Sequence, residues 1–183
     1  MDWQLTGKGR HTLSQAARTL GEKGLSVRQV DPGKYPPGAF PRTEALSRID
    51  REPKNRISFM AALLPYMGQQ NLFNRIRFDQ SWRDSSNWVS GNTLVPQFLD
   101  PMYPDSAQYV TFGDLPMDFA ATHYVGIAGV GMDAASFKRN DPATFTQRGV
   151  LGYDESATLE EIRQGRGVSN TIVLIQAPHD GLT

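Results

Sequence analysis

Hydrophobic positions recur at helical spacing in one long stretch of the chain, residues 56–76. Its large apolar side chains fall three, four or seven residues apart and form one stripe: Phe59, Leu63, Tyr66, Phe73 and Ile76. This period predicts a helix whose stripe faces the core. Pro65 lies inside the pattern and lacks an amide hydrogen, so we expect a kink there or a second helix that begins at Leu64 or Pro65.

Two further segments predict short helices from their capping residues. Residues 12–24 place Thr12 before an apolar face and end at glycine. A second helix is predicted from a cap at Ser85 or Ser86, since serine oxygens accept hydrogen bonds from the first free amides of a helix.

The segment SATLEEIRQG, residues 156–165, predicts one or two helical turns. Ser156 or Thr158 is the expected cap. Glu160 and Glu161 then belong to a solvated face near the helix N-terminus, where negative charge is favourable.

The second half of the chain reads as short strands separated by turn-rich segments. The β-like runs are QYVTF (108–112), HYVGIAG (123–129), RGVLGY (148–153) and SNTIVLIQ (169–176). Such short runs are typical of an antiparallel sheet. Because helices come first and strands later, the predicted fold class is α+β.

A proline- and glycine-rich segment, VDPGKYPPGAFPR, separates the N-terminal region from the rest. It holds four prolines and two glycines in thirteen residues, a density that no helix tolerates. We therefore expect an extended connection here. The predicted organisation is a polar N-terminal appendage, residues 1–34, followed by one α+β domain, residues 35–183, with long Pro/Gly-rich connections.

Charge and composition exclude several classes of function. Nineteen basic and nineteen acidic residues cancel, so nothing indicates a nucleic-acid partner. The absence of cysteine excludes disulfides, thiolate nucleophiles and cysteine-based zinc sites. No stretch of the chain has the length and apolarity of a signal peptide or a membrane helix, so we expect a soluble chain without a membrane segment.

The glycines at 126, 129 and 131 raise the question of phosphate binding. Their order inverts the dinucleotide fingerprint, and the Gly131-Met132-Asp133 sequence lacks the lysine of a Walker loop. We interpret these glycines as a bulge or tight turn where side chains would clash.

Catalytic and metal-binding patterns are weak. Ser169 lacks the second glycine of a nucleophile elbow, and a hydrolase would need His123 as its base, so this is a remote alternative. Oxygen ligands for calcium are available without any loop pattern: Asp133, Asp141, Asp154, Glu155, Glu160 and Glu161. We predict no enzyme, no cofactor and no metal site.

Aromatic residues offer a second kind of function. Trp82, Trp88, Tyr103 and Tyr109 could form stacking platforms in an extracellular carbohydrate-binding module. The favoured interpretation of the tryptophans is that they cover the edge of a small core.

Five stretches occur in an order that resembles a large prepilin-like, or pseudopilin-like, family. They are YPPGAFPR (35–42), ALLPYMGQQNLFNRIRFDQSWRDSSN (62–87), HYVGIAGVG (123–131), RGVLGYD (148–154) and TLEEIRQGRGVSNTIVLIQ (158–176). That family has no assigned function, is abundant in planctomycete-type bacteria and is sometimes labelled solute-binding-like. The matching motif positions are Tyr124, Gly126, Gly129, Ser169, Asn170 and Thr171.

The resemblance implies a pilin-like fold, with a helix packed on an antiparallel sheet, in a cell-envelope or extracellular setting. Its implied partners are other pilin-like subunits or envelope components, and it transfers no catalytic residue. We accordingly expect a non-enzymatic surface or secretion-associated domain, with the ligand-binding module as the alternative.

This chain departs from the family pattern at both ends and in one motif. Residues 1–34 are polar where members carry a methylation signal and a hydrophobic helix. The usual DGTSNT reads GRGVSNT, and the segment that members carry after QAPHDGLT is missing. We expect a trimmed fragment, truncated at its C-terminus, or a divergent domain.

Overall fold

A computed structural model describes residues 34–40 and 52–177 of the chain. In these ranges the helices are α1 (Met60–Leu63), α2 (Gln70–Arg75), α3 (Ser85–Asn92) and α4 (Leu159–Gln164), and the strands are β1 (Tyr109–Val110), β2 (Phe119–Ala120), β3 (Tyr124–Gly126) and β4 (Leu174–Gln176). Short 3₁₀ turns occur at Pro53–Asn55, Leu64–Met67, Pro96–Phe98, Asp105–Gln108, Ala134–Ser136, Pro142–Thr144 and Val168–Asn170. The predicted α+β class is confirmed. The predicted helix at 12–24 lies outside the described residues, and the division at residue 34 stays a prediction.

The strands form two small antiparallel sheets. β1 pairs with β2, and β3 pairs with β4 with Val125 directly opposite Ile175. Neither β2 nor its turn was predicted. Antiparallel pairing is confirmed for parts of three predicted runs, those at 108–112, 123–129 and 169–176.

The predicted strand at 148–153 is wrong as a regular strand. Its backbone makes single bridges with two separate partners, Arg148 with Gly129 and Tyr153 with Ala39. The carbonyl groups of Gly149 and Val150 accept hydrogen bonds from the Arg139 side chain. The segment is extended, but its hydrogen bonds go to different elements in turn, so no ladder forms.

The long helical signal at 56–76 is divided into three pieces. α1 ends at Leu63, and a 3₁₀ turn with Pro65 in its first positions follows. This confirms a second helical segment beginning at Leu64. Gly68 then adopts a left-handed φ of 74°, and α2 begins two residues later. Such a residue is a common helix terminator, because glycine enters this region without a steric cost.

The helix caps agree with prediction at one helix and differ at the other. Thr158 caps α4 in a full capping box, with its oxygen 3.0 Å from the Glu161 amide and the Glu161 carboxylate 2.6 Å from the Thr158 amide. α3 is capped by Asp84, which accepts from the amide of Ser86. The prediction of Ser85 or Ser86 as cap was therefore off by one or two residues, because the carboxylate one position earlier competes for the same amides.

The proline-rich segment 34–40 runs extended through the interior. Its amides donate to distant carbonyls: Tyr35 to Ala157 at 2.7 Å, Gly38 to Gly152 at 2.8 Å and Phe40 to Ile57 at 2.9 Å. Its two consecutive prolines, residues 36 and 37, are fully buried. The predicted extended connection is confirmed for residues 34–40, which form part of the core, and its other residues lie outside the described ranges.

One hydrophobic cluster joins this segment to the helices and to the second half of the chain. It includes Phe59, Leu63, Leu64 and Leu151, with Tyr66, Phe73 and Ile76 packed against it. All five side chains of the predicted stripe are thus in the core or against it. In the ranges that the structure describes, no helix is long and apolar enough to cross a bilayer.

Candidate functional site

Two clefts of similar size open on the described part of the molecule. The first, called the apolar cleft, has a volume of about 500 Å³. It lies between α1, α3 and the β1–β2 sheet, and its walls include Met60, Leu64, Trp82, Asn87, Val95, Phe98, Phe112 and Phe119. Four of these side chains also belong to the hydrophobic cluster, Met60, Leu64, Val95 and Phe98, and Trp82 packs against it.

Trp82 is the predicted stacking residue that lines the apolar cleft. Its ring lies 5.1 Å from that of Phe112 and 5.4 Å from that of Phe119, and the Arg83 guanidinium lies 4.8 Å from its centroid. Its indole nitrogen donates to the carbonyl of Lys54 at 2.8 Å. The position of the ring is therefore fixed both by packing against two phenylalanines and by a hydrogen bond from its indole nitrogen.

The other three predicted stacking residues lie elsewhere. Trp88 donates its indole hydrogen to the carbonyl of Arg83 at 2.9 Å and is not among the described residues lining the apolar cleft. The Tyr103 hydroxyl donates to the carbonyl of Ala177 at 2.7 Å. Tyr109 is in β1 with 43% of its surface exposed. The four do not line one cleft.

Asn87 belongs to the same family-like stretch as Trp82, is buried, and forms hydrogen bonds with backbone groups through both its side-chain oxygen and its side-chain nitrogen. Its oxygen accepts from the Arg77 amide at 2.8 Å, and its nitrogen donates to the carbonyls of Arg77 and Ser81 at 3.0 Å. The side chain fastens the loop that carries Trp82 to α3.

His123 is also occupied by backbone groups. Its Nδ1 accepts from the Asp100 amide at 2.8 Å, and its Nε2 lies 3.0 Å from the carbonyl of Ala107, where it donates. Only 1% of the residue is exposed. With this tautomer no lone pair is left to take a proton from Ser169, which lies exposed in a 3₁₀ turn.

The acidic residues considered for calcium are scattered. Within the described ranges, no three histidine or acidic side chains are grouped so that they could hold a metal ion. Asp141 accepts from the amide of Ala143, and Glu161 closes the capping box of α4. These carboxylates have local structural partners.

The second cleft, called the arginine cleft, has a volume of about 430 Å³. Its walls come from the loop after β3, the segment 145–150, the helix α4 and the segment 166–172. Its cationic side chains are Arg139, Arg148 and Arg166, and Glu161 is the one acidic residue among its described lining residues.

Backbone carbonyls are the main partners of these arginines. Arg139 donates to the carbonyls of Gly149 and Val150 at 3.0 Å, and its guanidinium lies 3.8 Å from the Glu161 carboxylate. Its Nε is buried without a hydrogen-bond partner. Burial lowers the pKa of the Arg139 guanidinium; the Glu161 and Glu155 charges oppose this shift and the Arg148 charge adds to it.

The motif positions lie on and around the arginine cleft. Gly129, Asn170 and Thr171 line it, whereas Tyr124 and Gly126 are in β3, with the Tyr124 ring in the core. A Cβ at Gly126 would lie 2.5 Å from a side-chain carbon of Leu151.

Gly129 has a φ of 142°, and a Cβ there would lie 2.3 Å from the carbonyl oxygen of Gln147. The backbones of these two segments approach so closely that only glycine fits between them. The side-chain amide of Asn170 donates to the carbonyl of Arg166 at 3.1 Å. The Thr171 hydroxyl donates to the carbonyl of Gly167 at 2.9 Å. They fasten the turn that forms one wall.

A family comparison covers all of these segments. The sequence profile of the family described as a protein of unknown function, DUF1559, matches residues 30–180. The chain belongs to the DUF1559 family. The match includes all five ordered stretches, so the DUF1559 region spans both clefts. No curated protein sequence and no solved structure matches the chain.

The sequence analysis did not predict the aromatic residues of the apolar cleft or the basic residues of the arginine cleft in this DUF1559 chain. Phe112 and Phe119 complete the aromatic wall beside Trp82, and the alternating pattern of residues 117–120 was the available signal for the second of them. Arg148 and Arg166 belong to two of the five family-like stretches. The net charge of the chain is zero, so the overall charge gave no sign that these arginines lie together. Only the fold brings them together with Arg139.

Proposed function

We propose that this chain is a non-enzymatic, pilin-like domain of the cell envelope that works by packing against other subunits, in the first place a second copy of itself. The observation that carries the proposal is the outer face of the β3–β4 sheet. The ordered motif series, which spans the DUF1559 match, supports the pilin-like part.

The outer face of this sheet is apolar. Val125 and Ile175 are cross-strand neighbours in the β3–β4 register, and 40% and 43% of their surfaces are exposed. Tyr124, one position earlier, points into the core, as the two-residue period of a strand requires. Opposed apolar side chains on a solvent-facing sheet indicate a surface that is covered in an assembly.

The edges of the same sheet support this interpretation. In the described part of the chain, each strand of β3–β4 pairs with the other alone. Unpaired strand edges present amide and carbonyl groups to a neighbouring chain, which is a common route to subunit pairing. The far edge of β3 is partly occupied, because the chain after it accepts a hydrogen bond from the Gly149 amide at Ala128. An apolar face beside the edge of β4 therefore suits a second copy.

His123 supports the non-enzymatic part of the proposal. A general base needs a free nitrogen lone pair within reach of its substrate, and both ring nitrogens of His123 are bonded to backbone. The strongest candidate for a hydrolytic base has a structural role.

Sedimentation velocity over a concentration series tests the subunit proposal. We expect the wild-type chain to self-associate and Val125→Glu to abolish association, because a charge would be buried without a partner. Val89→Glu is the matched control: Val89 is also apolar and is 67% exposed, but lies on α3. A wild-type chain that stays monomeric up to millimolar concentration, or a Val125→Glu variant that associates normally, would refute the proposal.

A ligand-binding module is the second candidate, and Trp82 favours it. The half-buried ring lines the apolar cleft beside two phenylalanines, an arrangement suited to stacking on a sugar face. Fluorescence of a Trp3→Phe/Trp88→Phe variant isolates the emission of Trp82. A polysaccharide that shields this emission from acrylamide would support the module, and the Trp3→Phe/Trp82→Phe variant is the control.

Unchanged quenching with every neutral and acidic polysaccharide in the panel would leave Trp82 as a packing residue. That result would remove the ligand-binding candidate.

A further inference from the structure

Three guanidinium groups line one cleft that holds a single carboxylate. Arg139, Arg148 and Arg166 contribute three positive charges, and Glu161 contributes the one negative charge among the described lining residues. This carboxylate is also engaged in the capping box of α4. The lining therefore carries an excess of two positive charges in a chain whose net charge is zero.

The hydrogen bonds of the arginines do not offset this excess. Arg148 donates to the carbonyls of Lys138 and Arg139, and Arg166 donates to the carbonyl of Thr146. Backbone carbonyls satisfy donors but carry no formal charge. The Glu155 carboxylate outside the lining also acts on Arg139, but it is paired with Lys138 at 3.6 Å. The arginine side chains are thereby fixed in position, and the excess positive charge of the lining is available to an anion.

Fixed guanidinium groups are well suited to oxyanions. The planar fork of arginine matches two oxygens of a carboxylate, sulfate or phosphate, and such charge-assisted bonds are the stronger ones. Arg139 holds a buried Nε without a hydrogen-bond partner. Its side chain is 17% exposed, so the guanidinium forms the inner part of the cleft.

An apolar ring stands beside the charges. Phe145 lines the cleft, is 52% exposed and lies 5.0 Å from the Arg148 guanidinium. The cleft volume of about 430 Å³ falls within the range of about 300–1,000 Å³ that small-molecule sites occupy. The space fits a ligand larger than a bare ion, with an apolar or sugar face next to its anionic group.

We propose that the arginine cleft is a binding site for the oxyanion group of a small anionic ligand or of an anionic sugar unit. Arg139 contacts the oxyanion from the inside, Arg148 and Arg166 contact it from the rim, and Phe145 packs against the rest of the ligand. Val125 and Ile175 of the β3–β4 face are not among the described residues lining this cleft. The proposal therefore goes beyond the assembly function, and anion binding can be present or absent whether or not the chain self-associates.

Isothermal titration calorimetry with sodium sulfate, sodium phosphate, a glucuronate oligosaccharide and a neutral glucose oligosaccharide tests this site. We expect at least one of the three anionic probes to bind, and its affinity to fall with rising salt. Binding of the free ions identifies the ion itself as sufficient. Binding of the glucuronate oligosaccharide alone identifies an anionic sugar as the ligand.

Arg148→Gln and Arg166→Gln provide the mutational test. Each removes one charged donor, and we expect each to weaken binding by about ten-fold. Arg163→Gln is the matched control, because it removes the same charge from exposed helix α4 without touching the lining of the cleft. Thermal unfolding of all three variants establishes that they are folded.

Two results would overturn the proposal. The first is that none of the three anions binds the wild-type chain. The second is that Arg163→Gln weakens binding as much as Arg148→Gln and Arg166→Gln do, since binding would then depend on overall charge and not on the cleft.

Discussion

The apolar cleft and the arginine cleft are nearly equal in volume, about 500 and 430 Å³, but they are built from opposite chemistry. The first is a gap in the hydrophobic cluster, bordered by helices and by rings such as Trp82 and Phe119. The second is bordered by loops, by helix α4 and by three arginines whose positions are set by backbone carbonyls. Volume alone therefore does not identify a site.

The two clefts also differ in how substitutions should act. A side chain of the apolar cleft contributes mainly through packing, so its loss should appear in the free energy of unfolding. A rim arginine of the other cleft should affect anion affinity more than stability. Three single substitutions test this contrast, and Leu64→Ala should have the largest effect.

Leu64→Ala should lower the free energy of unfolding by about 3 kcal/mol, since it removes a buried leucine from the core and enlarges the apolar cleft. Leu64 is only 3% exposed. Urea denaturation measures the change. Met102→Ala, at a residue 77% exposed, is the control and should change stability little. A loss of anion affinity in folded Leu64→Ala would contradict the separation of the clefts.

Gly129→Ala should lower the free energy of unfolding by about 2 kcal/mol, because the left-handed φ and the approach of the Gln147 carbonyl leave no room for a methyl group. Since Gly129 forms a wall of the arginine cleft, anion affinity should fall as well. Gly113→Ala is the matched control: nothing lies within 4 Å of its Cβ position. Equal unfolding energies for the two variants would count against the close backbone approach.

Thr158→Ala should lower the free energy of unfolding by about 1 kcal/mol, the usual loss for an N-cap. The Glu161 carboxylate then keeps the backbone amide of residue 158 but loses the hydroxyl partner. Because it is held less tightly beside Arg139, we expect anion affinity to fall slightly. Ser156→Ala, the other residue that the sequence offered as a cap, is the control. If it proved the more destabilising change, the capping box would be assigned to the wrong residue.

Local signals in the sequence were sufficient for much of the fold. Pro65 divides the long helical pattern because it has no amide hydrogen to donate to the preceding turn. Thr158 caps α4 because the glutamate three positions later completes the capping box. The strand predicted at 148–153 failed for the opposite reason. Its hydrogen bonds depend on segments far away in the chain, including the Arg139 side chain.

The candidate sites were less accessible to sequence reasoning. The sequence offered Trp82 and Trp88 for a ligand groove only as the alternative to packing at the edge of a small core. The neighbours of Trp82 in the apolar cleft are Phe112 and Phe119, which come from another part of the chain. Charge counting averages over the chain, so it cannot register three arginines that only the fold brings together.

The buried segment 34–40 has a mechanical consequence. Its amides are bonded to residues 57, 152 and 157 on both sides, and such bonds lie roughly across the direction of an extended chain. A tensile load applied to the chain at Lys34 would act directly on the core. It would have to break the three hydrogen bonds and pull the two buried prolines out of their contacts. Tension would be carried by buried residues of the core, and not by a peripheral element whose hydrogen bonds break one at a time.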